Sequence, residues 1–212
     1  YDETTGDNDS TTYGSPVASI VSANANAGFS IVEFEKRFDD TNAEVYPHGL
    51  SATPEMIFIK RTNAGEDWYV YHTYMGNAAR VSLNSNAAKV TGTNVWGQTN
   101  PTATAFTIKS FNAGNGIAYC FHSVTGYSKF GSYTSNATTK ITTGFKPDFF
   151  IFKYIGSGDW YIQDATQTEG DVGIHGGDLI KKYYVPNTSA AEASVATGGV
   201  EIMSDGFYPT NW

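Results

Sequence analysis

Cysteine is almost absent from this sequence of 212 residues, which contains only Cys120. No disulfide can therefore form within the chain. The thiol lies in the apolar run 117–121, where a small buried thiol packs like an aliphatic side chain. A chain of this length can be held together by its hydrophobic core alone, so the cysteine content does not decide between an oxidising and a reducing compartment.

Basic residues are scarce as well. Lysine and arginine total 13 against 21 aspartates and glutamates, which gives a formal net charge of -8 at pH 7 and a pI near 4.8. Nucleic acids and anionic membrane surfaces are bound through clustered lysine and arginine, so we expect no nucleic-acid partner. Apolar runs of about eighteen residues and a basic-then-apolar leader are also missing, so we expect no membrane insertion.

The motifs of the common enzyme classes are missing too. The chain has no Gly-x-Ser-x-Gly nucleophile elbow, no phosphate-binding glycine loop, no dinucleotide-binding glycine triplet and no His-Glu-x-x-His zinc helix. Its histidines, His48, His72, His122 and His175, are scattered singly. The sequence therefore favours a non-enzymatic protein. Because it opens on Tyr1 without an initiating methionine, we also expect it to be a piece of a longer protein.

Aromatic residues and glycine are abundant. Aromatics make up 15% of the residues and glycines number 22, whereas charged side chains supply only 16%. Short β-prone runs are separated by glycine-rich turns, and no long segment carries apolar residues at helical spacing. Only the alanine-bearing segments 77–89 and 189–196 have a pattern that allows a helical turn. We therefore predict an all-β protein with a lectin-like β-sandwich or jelly-roll-like arrangement.

The sequence repeats itself once, at a spacing well above the period of a solenoid repeat. The equivalent segments are 28–30 and 126–128, 54–60 and 147–153, and 67–70 and 159–162. In each copy the last two segments are separated by turn residues, which predicts the same β-hairpin twice. We therefore predict a β-sandwich of two internally repeated halves, residues 17–125 and 126–212. A linker or docked arm at residues 1–16 precedes them.

The two predicted halves end differently. The first continues to a predicted strand at residues 117–122, whereas the second has no equivalent of that strand before Trp212. Two interpretations remain open. Either the protein continues beyond this chain, or another chain adds a strand to an exposed sheet edge.

An acidic cluster lies in a glycine-rich insertion of the second half. It consists of Asp164, Glu169, Asp171, His175 and Asp178. Oxygen ligands at close spacing on a loop suit a hard cation, so a Ca²⁺ site is one interpretation. The spacing does not match the calcium-loop signature, however. The other interpretation is a solvated acidic loop that holds no cofactor.

Trp96 lies in a polar, loop-like segment and has no clear counterpart in the second half. Its ring could stack on a sugar face while the amides of Asn94 and Gln98 bind hydroxyl groups, as polar groups orient small ligands. The ring could equally close the end of the β-sandwich. The sequence leaves both a glycan site and a packing role open.

Several of these motifs resemble a repeated domain of bacteriophage structural and tail-associated proteins. The segments that carry the resemblance are residues 28–32, 48–54, 67–72, 119–121, 126–133 and 144–147. The resemblance covers residues 17–212 and implies a location on the virion surface. It also implies other virion proteins as partners, a host-surface glycan as a ligand and a homo-oligomeric assembly. The family has no catalytic motif that could be transferred to this chain.

Three functional hypotheses follow from the sequence. The first is a non-enzymatic virion module on a tail fibre or another host-facing appendage, which serves host attachment or particle decoration. The second is a subunit of a prokaryotic extracellular filament or pilus that is completed by strand exchange. The third is a glycan-degrading enzyme that uses Glu169 and Asp171. The resemblance favours the first hypothesis.

Overall fold

A computed structural model gives the structure of the chain and describes residues 2–4, 19–37, 42–134, 136–168, 170–197 and 199–210. Strands account for 42% of the structure and helical turns for 3%, and the sheets are antiparallel. The predicted all-β class is confirmed. None of the helices in the described ranges is long and apolar enough to cross a membrane.

The described strands are short and are numbered here in chain order. They are β1 (Asp2–Thr4), β2 (Ser19–Asn24), β3 (Phe29–Lys36), β4 (Glu44–Pro47), β5 (Met56–Arg61), β6 (Tyr69–His72), β7 (Ala79–Ser82), β8 (Val90–Thr91), β9 (Ala105–Ile108), β10 (Gly114–Phe121), β11 (Ile141–Thr142), β12 (Phe149–Lys153), β13 (Trp160–Asp164), β14 (Asp178–Ile180), β15 (Lys182–Tyr183), β16 (Ala193–Ser194), β17 (Gly199–Met203) and β18 (Gly206–Thr210).

Two 3-10 turns, Ala25–Ala27 and Ala165–Gln167, lie outside the alanine-bearing segments that the sequence allows for helix. Asn24 and Asp164 precede these turns, and the side-chain oxygen of each accepts a backbone N–H from its turn. A capping oxygen of this kind satisfies an otherwise free N–H and so favours a turn at that position. Neither alanine-bearing segment forms a helix, so that expectation is wrong.

The chain divides into two compact units. The first consists of Tyr1–Leu83 and Lys89–Val124, and the second of Asn84–Ala88 and Thr125–Trp212. The predicted division between residues 125 and 126 lies next to the last of these boundaries. Residues 84–88 connect β7 to β8 but belong to the second unit, where the N–H of Gly158 donates to the carbonyl oxygen of Asn86 at 2.8 Å.

The first unit is built on one antiparallel sheet with the strand order β1-β2-β3-β10-β5-β6-β7-β8. The two longest strands, β3 and β10, pair along their whole lengths. Val32 faces Ala118, which faces Ile59 on its other side. Because side chains alternate between the faces of a strand, these residues share a face with the apolar neighbours Phe34, Ile57 and Cys120 two positions away.

The core of the first unit lies on that face. Strands β4 and β9 form a separate two-stranded sheet, in which Tyr46 pairs with Phe106. Both residues are buried with side chains from the large sheet. The buried core cluster comprises Val21, Val32, Phe34, Tyr46, Leu50, Ile57, Ile59, Tyr71, Val95, Trp96, Phe106, Ile108, Phe111, Ala118 and Cys120.

The second unit contains smaller sheets. Strands β11, β18, β17 and β14 form a four-stranded sheet in that order, while β12 pairs with β13 and β15 pairs with β16. A bridge between Ile162 and Tyr184 connects β13 to the chain next to β15. The buried core cluster comprises Phe150, Ile180, Val200, Ile202 and Phe207, so the β12–β13 hairpin and the four-stranded sheet share one core.

Both predicted hairpins form, and β5–β6 and β12–β13 have the same register. The equivalent pairs are Met56–His72 and Phe149–Asp164, Ile57–Tyr71 and Phe150–Gln163, Phe58–Val70 and Ile151–Ile162, and Ile59–Tyr69 and Phe152–Tyr161. Beyond this region the units differ, because β10 lies beside β5 whereas β14, β17 and β18 form part of a separate sheet. The repeat of the complete halves is therefore not confirmed.

Candidate functional site

A buried carboxylate occupies the middle of the four-stranded sheet. Glu201 lies on β17, opposite Leu179 of β14 and Tyr208 of β18, and is 0% exposed. A carboxylate in an apolar interior is unfavourable unless it is hydrogen-bonded or paired. The groups that contact Glu201 therefore determine whether the strand can hold this residue.

The loop before β14 surrounds the carboxylate of Glu201. The backbone N–H groups of His175 and Gly177 both donate to Oε1 at 2.8 Å, and Nδ1 of His175 lies 2.8 Å from Oε2. A proton on Nδ1 makes this contact a third hydrogen bond to the carboxyl group. Hydrogen bonds to an ionised group are stronger than neutral ones, so the loop compensates the buried charge.

Two glycines let the loop approach the carboxylate this closely. A Cβ atom added at Gly173 would overlap the carboxyl carbon of Glu201, and one added at Gly177 would overlap the carbonyl oxygen of Ile202. The loop closes on itself through the N–H of Gly173, which donates to the carbonyl oxygen of Gly177 at 2.8 Å. Close packing against β17 therefore accounts for Gly173 and Gly177 of the glycine-rich insertion.

His175 is held in one orientation from two sides. Glu201 binds Nδ1, and the ring of Tyr208 stacks on the imidazole with the centroids 3.7 Å apart and the planes 6° apart. The His175 side chain is 24% exposed, and Nε2 has no hydrogen-bond partner within the described ranges. An imidazole fixed through Nδ1 in this way leaves Nε2 as the ring nitrogen that could contact a ligand.

One imidazole does not by itself make a metal or catalytic centre. In the part of the chain that the structure describes, no group of three or more His, Cys, Asp or Glu side chains could hold a metal ion. The neighbouring carboxylates pair with lysines instead. Asp171 lies 2.8 Å from Nζ of Lys181, and Asp178 lies 2.8 Å from Nζ of Lys146.

The same loop presents aliphatic side chains to solvent. Val172 is 71% exposed and Ile174 is 82% exposed. The loop that carries them is nevertheless fixed, because the N–H groups of His175 and Gly177 donate to the buried Glu201. We call these two residues the apolar loop tip. Exposed apolar side chains on a loop of fixed position are suited to contact with another macromolecule.

A family model described as a domain of unknown function, DUF7483, matches residues 3–211. The chain belongs to the DUF7483 family. The match includes residues of both compact units. A comparison with curated proteins and a comparison with solved structures find no match to the chain.

The acidic cluster predicted from the sequence has several separate roles in this DUF7483 chain. The side chain of Asp164 accepts from the N–H and hydroxyl groups of Thr166, which caps the 3-10 turn. Asp171 and Asp178 form the lysine pairs described above, and His175 binds Glu201. Glu169 lies outside the described residues. The Ca²⁺ prediction gains no support from the described members of the cluster, because each has a different partner.

The glycan-stacking prediction for Trp96 is wrong. The side chain is 1% exposed and belongs to the core of the first unit. Its Nε1 donates to the carbonyl oxygen of Ala79 at 3.1 Å, and its ring lies edge-on to Tyr71. The alternative packing role is therefore the one that the structure shows. Of the two amides predicted beside it, Asn94 is half-buried and Gln98 is exposed with a positive φ of 54°.

The sequence reasoning missed Glu201, although one signal was present. Glu201 lies between Val200 and Ile202, in a run where alternation places it on the face opposite two core residues. That pattern suggests an exposed position. Residues 173–177 return over that face and cover the carboxylate.

A second buried carboxylate lies in the first unit and is fully engaged. The side chain of Glu44 accepts from the N–H of Arg37 at 3.1 Å and from the hydroxyl of Tyr46 at 2.7 Å. The buried Lys36 lies 3.7 Å from Oε1 of the same group. Burial and the neighbouring Glu44 raise the pKa of Tyr46. These contacts tie β3 to β4 and present no reactive group to solvent.

Proposed function

We propose that this chain is a non-enzymatic structural module of a bacteriophage virion, located on a tail fibre or another host-facing appendage. The sequence resemblance supports the setting. The observation that carries the role is the apolar loop tip, because Val172 and Ile174 expose aliphatic surface on a loop that is held by a buried carboxylate.

A loop that is already fixed loses little conformational entropy when it binds. The N–H groups of His175 and Gly177 are bound to Glu201, so the positions of Val172 and Ile174 are largely set before any partner arrives. Aliphatic side chains offer no flat ring on which a sugar can stack. The loop tip therefore suits a protein partner, and we assign it to contact with another virion protein.

The glycan-degrading hypothesis depends on Glu169, which lies outside the described residues, and on Asp171, which pairs with Lys181. Asp171, Asp178 and Glu201 each have a cationic or hydrogen-bonding partner within the unit. A glycosidase needs two carboxyl groups that flank the bond to be cleaved and are available to it. The described residues give no observation that favours this hypothesis over the structural role.

Localisation tests the setting. Virions and sheared cell-surface filaments from the source culture are separated on a density gradient and labelled with antibody to this chain for immunogold electron microscopy. We expect label on the phage tail. Label along cellular filaments would overturn the proposal and favour the strand-exchanged filament subunit.

A pair of variants tests the role of the loop tip in the virion. Ile174→Asp places a charge on the 82% exposed side chain, and Val90→Asp does the same at a 41% exposed aliphatic position of the first unit. We expect Ile174→Asp to lower the amount of this protein per virion at least tenfold by quantitative mass spectrometry, while Val90→Asp leaves it unchanged. Equal incorporation of both variants would contradict a contact at the loop tip.

A further inference from the structure

Strand β12 lies at the edge of its two-stranded sheet. Its only strand partner within the described residues is β13, with which it pairs from Phe149 to Lys153. Phe149, Ile151 and Lys153 make no backbone hydrogen bond to another described segment. A free edge with apolar side chains is a template for a further strand, which folded proteins usually cover or protect.

The hydrogen-bond pattern identifies the backbone groups that face this edge. The N–H of Ala165 donates to the carbonyl oxygen of Asp148, and Ile162 exchanges hydrogen bonds with Tyr184 on the far side of β13. Since bonding alternates along antiparallel strands, Ile151, the partner of Ile162, lies in a pair that is not hydrogen-bonded. The N–H and C=O groups of Phe149, Ile151 and Lys153 therefore point outward.

The equivalent edge in the first unit is occupied. Strand β5 has the same register with β6 as β12 has with β13, and β10 pairs with its other edge. The N–H of Thr62 donates to the carbonyl oxygen of Asn115, which places Met56, Phe58 and Lys60 in the hydrogen-bonded positions toward β10. These three residues correspond to Phe149, Ile151 and Lys153.

The exposed apolar surface of β12 lies where β10 shields β5. Phe58 is half-buried and packs edge-on against Phe121 of β10 with ring centroids 5.6 Å apart. In the second unit Phe149 is 59% exposed and Ile151 is 40% exposed. A strand placed beside β12 as β10 is placed beside β5 would therefore cover the exposed side chains of Phe149 and Ile151.

We propose that the outer edge of β12 binds an extended strand of another protein chain, in the antiparallel register that β10 adopts on β5. The incoming strand carries small residues on the core side, as β10 does with Ala118 and Cys120, and aromatic residues on the other side, as β10 does with Tyr119 and Phe121. Backbone hydrogen bonds supply affinity, and the alternating pattern supplies specificity. This proposal goes beyond the virion assignment and is independent of where the protein resides.

A peptide copy of β10 tests the proposal. A fluorescent peptide with the sequence of residues 114–122 and Cys120→Ser is titrated into the chain, and binding is followed by anisotropy. We expect saturable binding together with slower amide exchange at Phe149, Ile151 and Lys153. The same peptide with Tyr119→Pro lacks the N–H that would bond to Ile151, and we expect at least a tenfold loss of affinity.

Matched protein variants locate the binding. Ile151→Lys charges the open edge, and Val90→Lys is the control at a similarly exposed aliphatic position. We expect the peptide to bind Val90→Lys as it binds the original chain and to lose at least tenfold affinity for Ile151→Lys. Equal binding to both variants, or no binding to a folded chain, would overturn the proposal. A dimer in sedimentation velocity that dissociates in Ile151→Lys would also overturn it, because a second copy of β12 would then be the occupant.

Discussion

Buried polar side chains in both units depend on backbone groups that glycine or a tight turn brings within reach. Glu201 receives the N–H groups of His175 and Gly177, and Glu44 receives the N–H of Arg37. A buried acceptor that loses its donors costs about 1–3 kcal/mol. Substitutions that displace the segments donating to Glu201 and Glu44 should therefore destabilise the fold more than a typical surface substitution does.

Gly173→Ala tests this dependence. The added methyl group would overlap the carboxyl group of Glu201 and push the loop away from β17, which we expect to lower the free energy of unfolding by about 1–3 kcal/mol. Gly131→Ala is the control, since no atom lies within 4 Å of its added Cβ. We expect its effect to stay within about 0.5 kcal/mol in urea unfolding. Equal effects of the two variants would contradict the close packing of the loop.

His48 gives the fold a dependence on pH. The buried ring accepts from the N–H of Leu50 at Nδ1 and donates from Nε2 to the carbonyl oxygen of Thr102. Burial lowers the pKa of His48. The unfolded chain therefore binds a proton that the folded chain excludes, and stability falls as the pH drops below about 6.5, the value for an unperturbed histidine.

We expect His48→Gln to reduce this acid-dependent loss. Between pH 8 and pH 5 the free energy of unfolding of the variant should decline less steeply than that of the original chain, by up to about 1.4 kcal/mol per pH unit within the affected range. Some decline remains, because burial also lowers the pKa of His72. Urea unfolding at each pH gives the measurement, and identical slopes would contradict the assignment.

At the scale of single elements, the β12–β13 hairpin is closed by a lysine. Nζ of Lys153 donates to the carbonyl oxygens of Tyr154 and Gly158, both at 2.7 Å, and burial lowers its pKa. The equivalent Lys60 donates to Ala64 alone at 3.1 Å. The two hairpins have the same strand register but different turns.

We expect Lys153→Met to destabilise its hairpin more than Lys60→Met destabilises β5–β6. The loss of several charge-assisted bonds to turn carbonyls should cost about 1–3 kcal/mol, whereas the single exposed bond of Lys60 should cost less than about 1 kcal/mol. Amide exchange in β12 and β13 measures the local effect. Equal acceleration of exchange in both hairpins would refute the proposed role of Lys153.

The sequence predicts these hairpins because the pattern that specifies each one lies within a single short segment of the chain. In each copy two apolar runs are separated by a short glycine-containing turn, which fixes the pairing of neighbouring strands. Trp96 and Glu201 depend on distant segments. Trp96 donates to Ala79 and packs on Tyr71, and Glu201 is covered by a loop that begins at Gly173. Neither environment can be read from the neighbouring residues, so the sequence left the role of Trp96 open and did not identify Glu201 as buried.

For the whole molecule, the excess of acidic residues governs solubility. With 21 acidic and 13 basic residues, the chain carries a formal net charge of -8 at pH 7 and reaches neutrality near pH 4.8. Repulsion between like-charged molecules disappears at that point. We expect a solubility minimum near pH 4.8 in a light-scattering titration, and a minimum far from that pH would show that other associations dominate.

The connection between β7 and β8 sends residues 84–88 into the second unit, where Asn86 accepts a hydrogen bond from Gly158. No single cut in the chain therefore separates the two units intact. A recombination event near residue 124 would transfer the larger part of the second unit without the short segment that completes it. Transfer of that unit as a whole would require two separate stretches of the gene, those for residues 84–88 and 125–212, to move together.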